Sequence, residues 1–341
     1  MRASAAPRKR AQAWQEGTAL RPGRARLARG CAADALPRHL PHRRDSRKGD
    51  TGLLRQLLVT DLDGTLLRSD RSVSPYTAAV LNAAIAAGLG VTYATARSQH
   101  TAGPLVASIA FHLPAIVYNG ALCVRPGDRA RLQAHLLDPV IAASVVSAGW
   151  EAGLPPFVFG FMRDREVAFH AAPVNDGQRE WLELRIRQRD PRLHRVEAAT
   201  VPDEVLAVQF IAPRERLQPL AAWAHAAWGD QVSASLIRDV YRPGSHEFEV
   251  HHPLANKRDM TRWLAETLGL ERADVTAAGE NHNDLPMFAA AGRRLAVANA
   301  EPEVRAAADE VLASNDEDGL ARYVARRWGV AGARNTDHRV R

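Results

Sequence analysis

The chain has 341 residues, 46% of them apolar and 24% charged, with a formal net charge of +7. That is enough apolar material for one large domain or two ordinary ones. No run of about 18 apolar residues occurs, which excludes a transmembrane helix. Two cysteines, Cys31 and Cys123, are too few for a disulfide framework and fit a reducing compartment, so the cytoplasm is the expected location.

Residues 1–52 hold 13 Lys and Arg against 4 Asp and Glu, a net of +9, and the remainder hold 32 against 34, a net of −2. The basic character therefore belongs to this leader, and a nucleic-acid reading applies to it alone. Its periodicity is poor, and Pro, Arg and Ala dominate. Such a segment buries too little apolar surface to offset its ordering entropy, so a disordered basic leader is expected over 1–52. A transit-type peptide is the alternative; the apolar stretch of a secretory signal is missing.

From residue 53 the pattern becomes regular. Residues 53–60 form a short apolar run suited to a buried strand of a parallel sheet. Ser74 and Pro75 supply an N-cap and a first helical position for an Ala-rich helix over 76–87, closed by Gly88. Strands follow at 89–95 and 114–120. This strand–helix alternation is that of a parallel sheet with helices on its faces, and the first such segment runs over 53–134. Residues 135–242 break the rhythm. A helix (139–152), a hairpin (156–170), a helix (176–189), a strand (204–212), a helix (214–228) and a strand (231–238) suggest an antiparallel α+β insertion. The alternation returns over 243–330, with helices near 257 and 284 and strands at 274–279 and 294–299; residues 331–341 are a C-terminal tail.

The polar residues collect where these strands end, which is where open parallel sheets place their chemistry. Asp61 and Asp63 follow the first strand, and Gly64 allows a turn that brings backbone N–H groups close to an anion. Thr95 ends the second strand and Asn119-Gly120 the third. Lys257 opens a helix, and Glu280-Asn281-His282-Asn283-Asp284 follows the strand at 274–279. Any one of these is common as a helix cap. Their joint appearance at successive strand ends is not.

These motifs resemble the haloacid dehalogenase superfamily of phosphatases, in its Cof-type (IIB) branch. Asp61-Leu62-Asp63-Gly64-Thr65 is similar to the first motif, Thr95 in YATARS to the second, Lys257 in LANKRDM to the third and GENHNDLPMF to the fourth. The likeness covers about 53–330. It implies a Rossmann-like parallel-sheet core with an inserted α+β cap of C2 type, and hydrolysis of a small phosphorylated metabolite with Mg²⁺. By resemblance, Asp61 is the nucleophile and Asp63 the general acid/base. Thr95 and Lys257 contact the transferring phosphoryl group, Asn283 contacts phosphate, and Asn119 is a turn residue beside the site or a substrate contact. The metal site implied is Asp61, Asp63 and Glu280, with Asp284 as a further acid that orients the metal site or Lys257.

Two positions depart from the pattern. Ala96 stands where Gly is usual, which matters if the backbone there needs positive φ. Glu280 stands where Asp is usual, one methylene longer. A mutase or phosphonatase on the same scaffold is disfavoured because 66–94 leaves no room for the smaller cap those enzymes carry. A non-catalytic phosphate sensor is disfavoured by the intact Asp61 and Asp63. In the insertion only Arg238, Tyr241 and Arg242 stand out as substrate contacts. The cluster His246, His251 and His252 has no metal-binding logic beyond proximity.

Overall fold

Leu57–Thr60 is buried at all four positions, as expected for a strand with neighbours on both sides and helices above and below. A computed structural model describes residues 54–239, 242 and 244–330. The leader over 1–52, the tail over 331–341 and Tyr241 lie outside the described residues. The strands are, in chain order, β1 Leu57–Thr60, β2 Gly90–Tyr93, β3 Ala115–Val117, β4 Leu122–Val124, β5 Arg131–Ala134, β6 Phe157–Met162, β7 Arg165–His170, β8 Leu193–Arg195, β9 Glu204–Ala212, β10 Ser233–Arg238, β11 His246–His251, β12 Val275–Gly279, β13 Arg293–Val297 and β14 Glu310–Leu312.

These residues divide into two compact units, one of 54–134 with 254–330 and one of 135–253. In the first, β14-β13-β12-β1-β2 form a sheet whose every pairing is parallel. Its core joins Leu57 and Val59 of β1 to Val275 and Ala277 of β12 and to Met260 and Leu264 of the helix Lys257–Thr267. Ser74 caps the helix Pro75–Ala86, its hydroxyl accepting from the Thr77 N–H at 2.9 Å, with Pro75 in the first turn.

The expected third strand departs from the parallel sheet. A single bridge, Ala94 to Ile116, ties β3 to the end of β2. Tyr118 (φ 51°), Asn119 (φ 53°) and Gly120 (φ 98°) then reverse the chain into an antiparallel sheet of β3, β4 and β5. Three consecutive left-handed residues make a turn that no βαβ crossover would contain. The chain between β2 and β3 likewise holds only the short helix Gln99–Ala102.

The second unit is one six-stranded sheet ordered β10-β11-β9-β6-β7-β8, antiparallel except for β7 with β8. Side chains alternate along β9. Val208, Phe210 and Ala212 enter a core with Ile141 and Val145 of the helix Pro139–Glu151 and Leu217 and Leu220 of the helix Arg214–Trp228. A third helix, Asp176–Arg187, lies on the opposite face, where Trp181 packs 4.1 Å from Phe157 and Gly177 adjoins Ile211. The architecture is the expected one, a parallel-sheet core with a separate antiparallel α+β unit. No helix among the described residues is long and apolar enough to cross a membrane.

Candidate active site

Asp61 follows the last residue of β1, and its N–H donates to the Ala278 carbonyl at 2.8 Å, extending the pairing with β12 by one step. The next residues form a single wide turn in which Leu67 N donates to the Leu62 carbonyl at 2.8 Å. Asp63 (ψ 123°) and Gly64 (φ 73°) take non-helical conformations inside that turn, so the two acids leave the strand end in different directions. The Gly64 carbonyl accepts from Asn299 Nδ2 at 2.8 Å. Asn299 follows β13, so the turn is tied to yet another strand end.

Lys257 opens the helix Lys257–Thr267 and is only 1% exposed. Its Nζ donates to Asp61 Oδ1 and to Asp284 Oδ1, each at 2.6 Å. Asp284 is wholly buried. Its other oxygen accepts from the backbone N–H groups of Glu280 (2.8 Å) and Asn281 (3.1 Å), which orients the acid from within its own loop. A side chain at Gly279 would occupy the space of Asp284, so the glycine ending β12 is a packing requirement.

Asp63 has a different partner. Arg97 grips it with two parallel bonds, Nε to Oδ2 at 2.6 Å and Nη2 to Oδ1 at 2.5 Å. Thr95 is buried, and its Oγ1 accepts from the Arg97 N–H at 3.1 Å. The Thr95 carbonyl accepts from Asn119 N at 3.0 Å, and Asn119 Oδ1 accepts from Asn283 Nδ2 at 3.2 Å. The eight residues given site roles by the resemblance therefore all lie in one unit. Ala96 is not among the residues with positive φ, so its Cβ meets no backbone penalty there.

The electrostatics are unbalanced. Four carboxylates, on Asp61, Asp63, Glu280 and Asp284, face two cations, Lys257 and Arg97. Burial raises the Asp61 carboxyl well above its ordinary range, against the pull of Lys257. Burial and then Asp284 push Glu280 up to about 7. For Lys257, burial pulls downward but Asp284 and Asp61 outweigh it, so the ammonium is held charged. One carboxylate oxygen from each of Asp61, Glu280 and Asp284 lies within 4.8 Å of the others. An all-oxygen donor set with surplus negative charge fits a hard divalent cation. The extra methylene of Glu280 finds room because residue 64 is glycine; a Cβ there would lie 3.1 Å from Glu280 Cγ.

No site role follows from the motifs alone for Arg97 or Asn299. Both carried a signal, Arg97 lying two residues past Thr95 and Asn299 ending the expected strand at 294–299. The three histidines and the arginines Arg238 and Arg242 lie in the unit 135–253. His251 Nε2 meets Glu249 Oε2 at 3.2 Å, and His252 stacks on His135 at 5.5 Å. Arg242 pairs with Asp239 and Glu247.

Gly120 supports the helix that bears Lys257. It combines φ 98° with a Cα that abuts the backbone of Asn256, whose side chain caps that helix by accepting from Asp259 N at 2.9 Å. Gly120→Ala should destabilise the chain by about 1–3 kcal/mol, since an added Cβ strikes backbone that cannot swing aside. Urea unfolding measures this, and an unchanged midpoint would show that the turn yields freely.

A family model of haloacid dehalogenase-like hydrolases matches residues 58–324. The chain is 26% identical over 284 residues to the pyridoxal phosphate phosphatase YbhA of Escherichia coli, covering 79% of this chain and 97% of that one. It is 27% identical over 278 residues to the HMP-PP phosphatase of Serratia proteamaculans, covering 79% and 94%. Among solved structures, a haloacid dehalogenase-like hydrolase from Bacteroides thetaiotaomicron superposes with a TM-score of 0.67 at 20% identity, covering 80% of this chain and 99% of that one.

Proposed function

The chain belongs to the haloacid dehalogenase-like hydrolases and is a phosphoric monoester hydrolase, and on that premise we propose that it cleaves a small phosphorylated metabolite through an aspartyl-phosphate on Asp61, with Mg²⁺ as cofactor. The observation that carries this reading is the separation of partners. Asp61 is bound by the buried Lys257 and Asp63 by Arg97, so two carboxylates two residues apart sit in different electrostatic settings.

In the first step an Asp61 oxygen attacks phosphorus and the ester oxygen departs, taking a proton from Asp63. In the second, Asp63 takes a proton from water as that water attacks the same phosphorus. Inorganic phosphate leaves and the Asp61 carboxylate returns. Asp63 must first be protonated and must leave the grip of Arg97, so that ion pair is a resting arrangement. The Arg97 guanidinium can then turn to the incoming phosphoryl oxygens. Lys257 keeps a positive charge beside the nucleophile and lowers its repulsion from the phosphate dianion. Thr95 and Asn283 supply neutral contacts to phosphate, and Asn119 holds Asn283. Asp61, Glu280, Asp284 and the backbone of Asp63 are the residues that would hold Mg²⁺, which supplies charge neutralisation at the phosphoryl oxygens.

The test is phosphate release over a panel of phosphomonoesters with and without Mg²⁺; absence of release from every member sinks the proposal. Within it, Glu280→Ala should raise the Mg²⁺ concentration for half-maximal rate by about tenfold to a hundredfold. Glu280→Asp should stay active, and Mn²⁺ should support turnover comparable to that with Mg²⁺. If Glu280→Ala titrates like the unaltered protein, Glu280 is not a ligand, and Asp61 and Asp284 hold the cation without it.

A further inference from the structure

Asp63 (φ −71°, ψ 123°) and Gly64 (φ 73°, ψ −3°) have the torsions of the two central residues of a type II turn. Glycine has the widest backbone freedom of any residue, so the angles that aim Asp63 need support from outside the turn. Upstream the support is β12, whose Ala278 carbonyl accepts the Asp61 N–H. Downstream it comes from two asparagines distant in the chain.

Asn299 Nδ2 donates to the Gly64 carbonyl at 2.8 Å. The other end of the amide sets its orientation. Oδ1 accepts from the Asn315 N–H at 3.0 Å, which turns Nδ2 towards Gly64. Asn315, only 4% exposed, closes the circuit by donating from its own Nδ2 to the Leu67 carbonyl at 2.9 Å. Two residues past Asn299, the Glu301 N–H donates to the Glu280 carbonyl at 2.8 Å. The short segment 299–301 thus grips both the turn that carries Asp63 and the loop that carries Glu280, whose side chain lies against Gly64. Arg305 fixes this segment, its Nη1 donating to the Ala298 and Ala300 carbonyls.

We propose that Asn299 is a positioning residue for the proton-transferring acid: by holding the Gly64 carbonyl it fixes the turn that aims Asp63. The inference rests on the phosphatase reading above and adds to it a residue that acts through the backbone. Without this bond Gly64 is released and Asp63 loses its aim. A displacement on the order of 1 Å costs a proton transfer about tenfold to hundredfold. Asp61 is anchored upstream of the turn, so nucleophilic attack suffers less. The loss should therefore depend on how much the departing alcohol needs a proton. An alkoxide needs one, whereas nitrophenolate is a stable anion and departs without it.

The experiment measures kcat/KM for the unaltered protein, Asn299→Ala and Asn299→Asp. The probes are p-nitrophenyl phosphate and the alkyl phosphomonoester that the panel above shows to be cleaved fastest. This quantity ends at departure of the alcohol, so it reads the acid step. Asn299→Asp keeps the acceptor for Asn315 but lacks the donor for Gly64, and it isolates that one bond. The expected result in both variants is a loss of about tenfold to hundredfold on the alkyl ester and of about threefold or less on p-nitrophenyl phosphate. The thermal midpoint should change little, because Asn299 is exposed. A role confined to folding would lower both esters alike. An unchanged ratio between the esters, or an Asn299→Asp variant that behaves as the unaltered protein, would overturn the inference. Should Asn299→Ala fail to fold, Asn299→Asp decides. Release from no member of the panel by the unaltered protein sinks the phosphatase reading and this inference with it, whereas an active protein with an unchanged ratio sinks this inference alone.

Discussion

Asp61→Asn should reduce phosphate release by about four orders of magnitude or more, because the attacking carboxylate oxygen is replaced by an amide. It should do so without unfolding the protein. Asp61 is buried in a neighbourhood crowded with acids, and burial already holds its carboxyl above the ordinary range. Removing that charge relieves repulsion with Asp284 and leaves Lys257 its 2.6 Å contact to Asp284. The thermal midpoint should therefore be unchanged or slightly higher, and calorimetry beside a phosphate-release assay reads both effects. Asp63→Asn differs in kind. It removes the proton carrier but keeps the nucleophile, so turnover should slow and phosphorylated protein should accumulate, visible as the mass of one added phosphoryl group. Near-normal turnover in Asp61→Asn would place the nucleophile elsewhere.

Lys257→Met should be the most destabilising change in the site. It leaves two carboxylates, 5% and 0% exposed, with no cation between them. Removing one partner from a buried ion pair costs about 3–5 kcal/mol, most of it from the charge left behind. Activity should be lost as well, since nothing then offsets repulsion between Asp61 and the phosphate dianion. The two effects separate in the double variant Lys257→Met/Asp61→Asn, which should regain part of the stability and none of the activity. Mg²⁺ should raise the melting temperature of Lys257→Met more than that of the unaltered protein, because a bound cation compensates the two buried acids that the lysine no longer neutralises. If Lys257→Met melts with the unaltered protein at every Mg²⁺ concentration, the lysine is not the counter-charge its position indicates.

Much of this was legible in the chain. β9 spans Glu204–Ala212, the nine residues expected, because a long, largely apolar run with Val205, Val208 and Ile211 reads as a strand. The helix start at Ser74 was visible as a cap, since a cap acts within three residues, and the start at Lys257 was read without its cap, Asn256. β4, β5, β8 and β11 were not anticipated. Three of them are three or four residues long, and β11 carries Glu247, Glu249 and His251, all polar, on the face it shares with Gln209. Such strands exist because a neighbour supplies the hydrogen bonds, and a neighbour is not a local property.

The active-site acids were likewise readable as a set, since chemistry at the carboxyl ends of parallel strands leaves polar residues after each apolar run. The motifs of the chain alone pointed to the family, and they marked the eight residues of the candidate site that fold into one unit. Folding decided how they pair. Lys257 meets Asp61 across 196 residues, and Arg97 meets Asp63 across 34. Those contacts are set by sheet register and by the angle at which each strand end turns, to which every neighbouring strand contributes. The two departures were settled in the same way. Ala96 costs nothing because its φ is not positive, and Glu280 has room because residue 64 carries no side chain. Backbone angle and free volume are properties of the packed molecule, and no residue encodes them by itself.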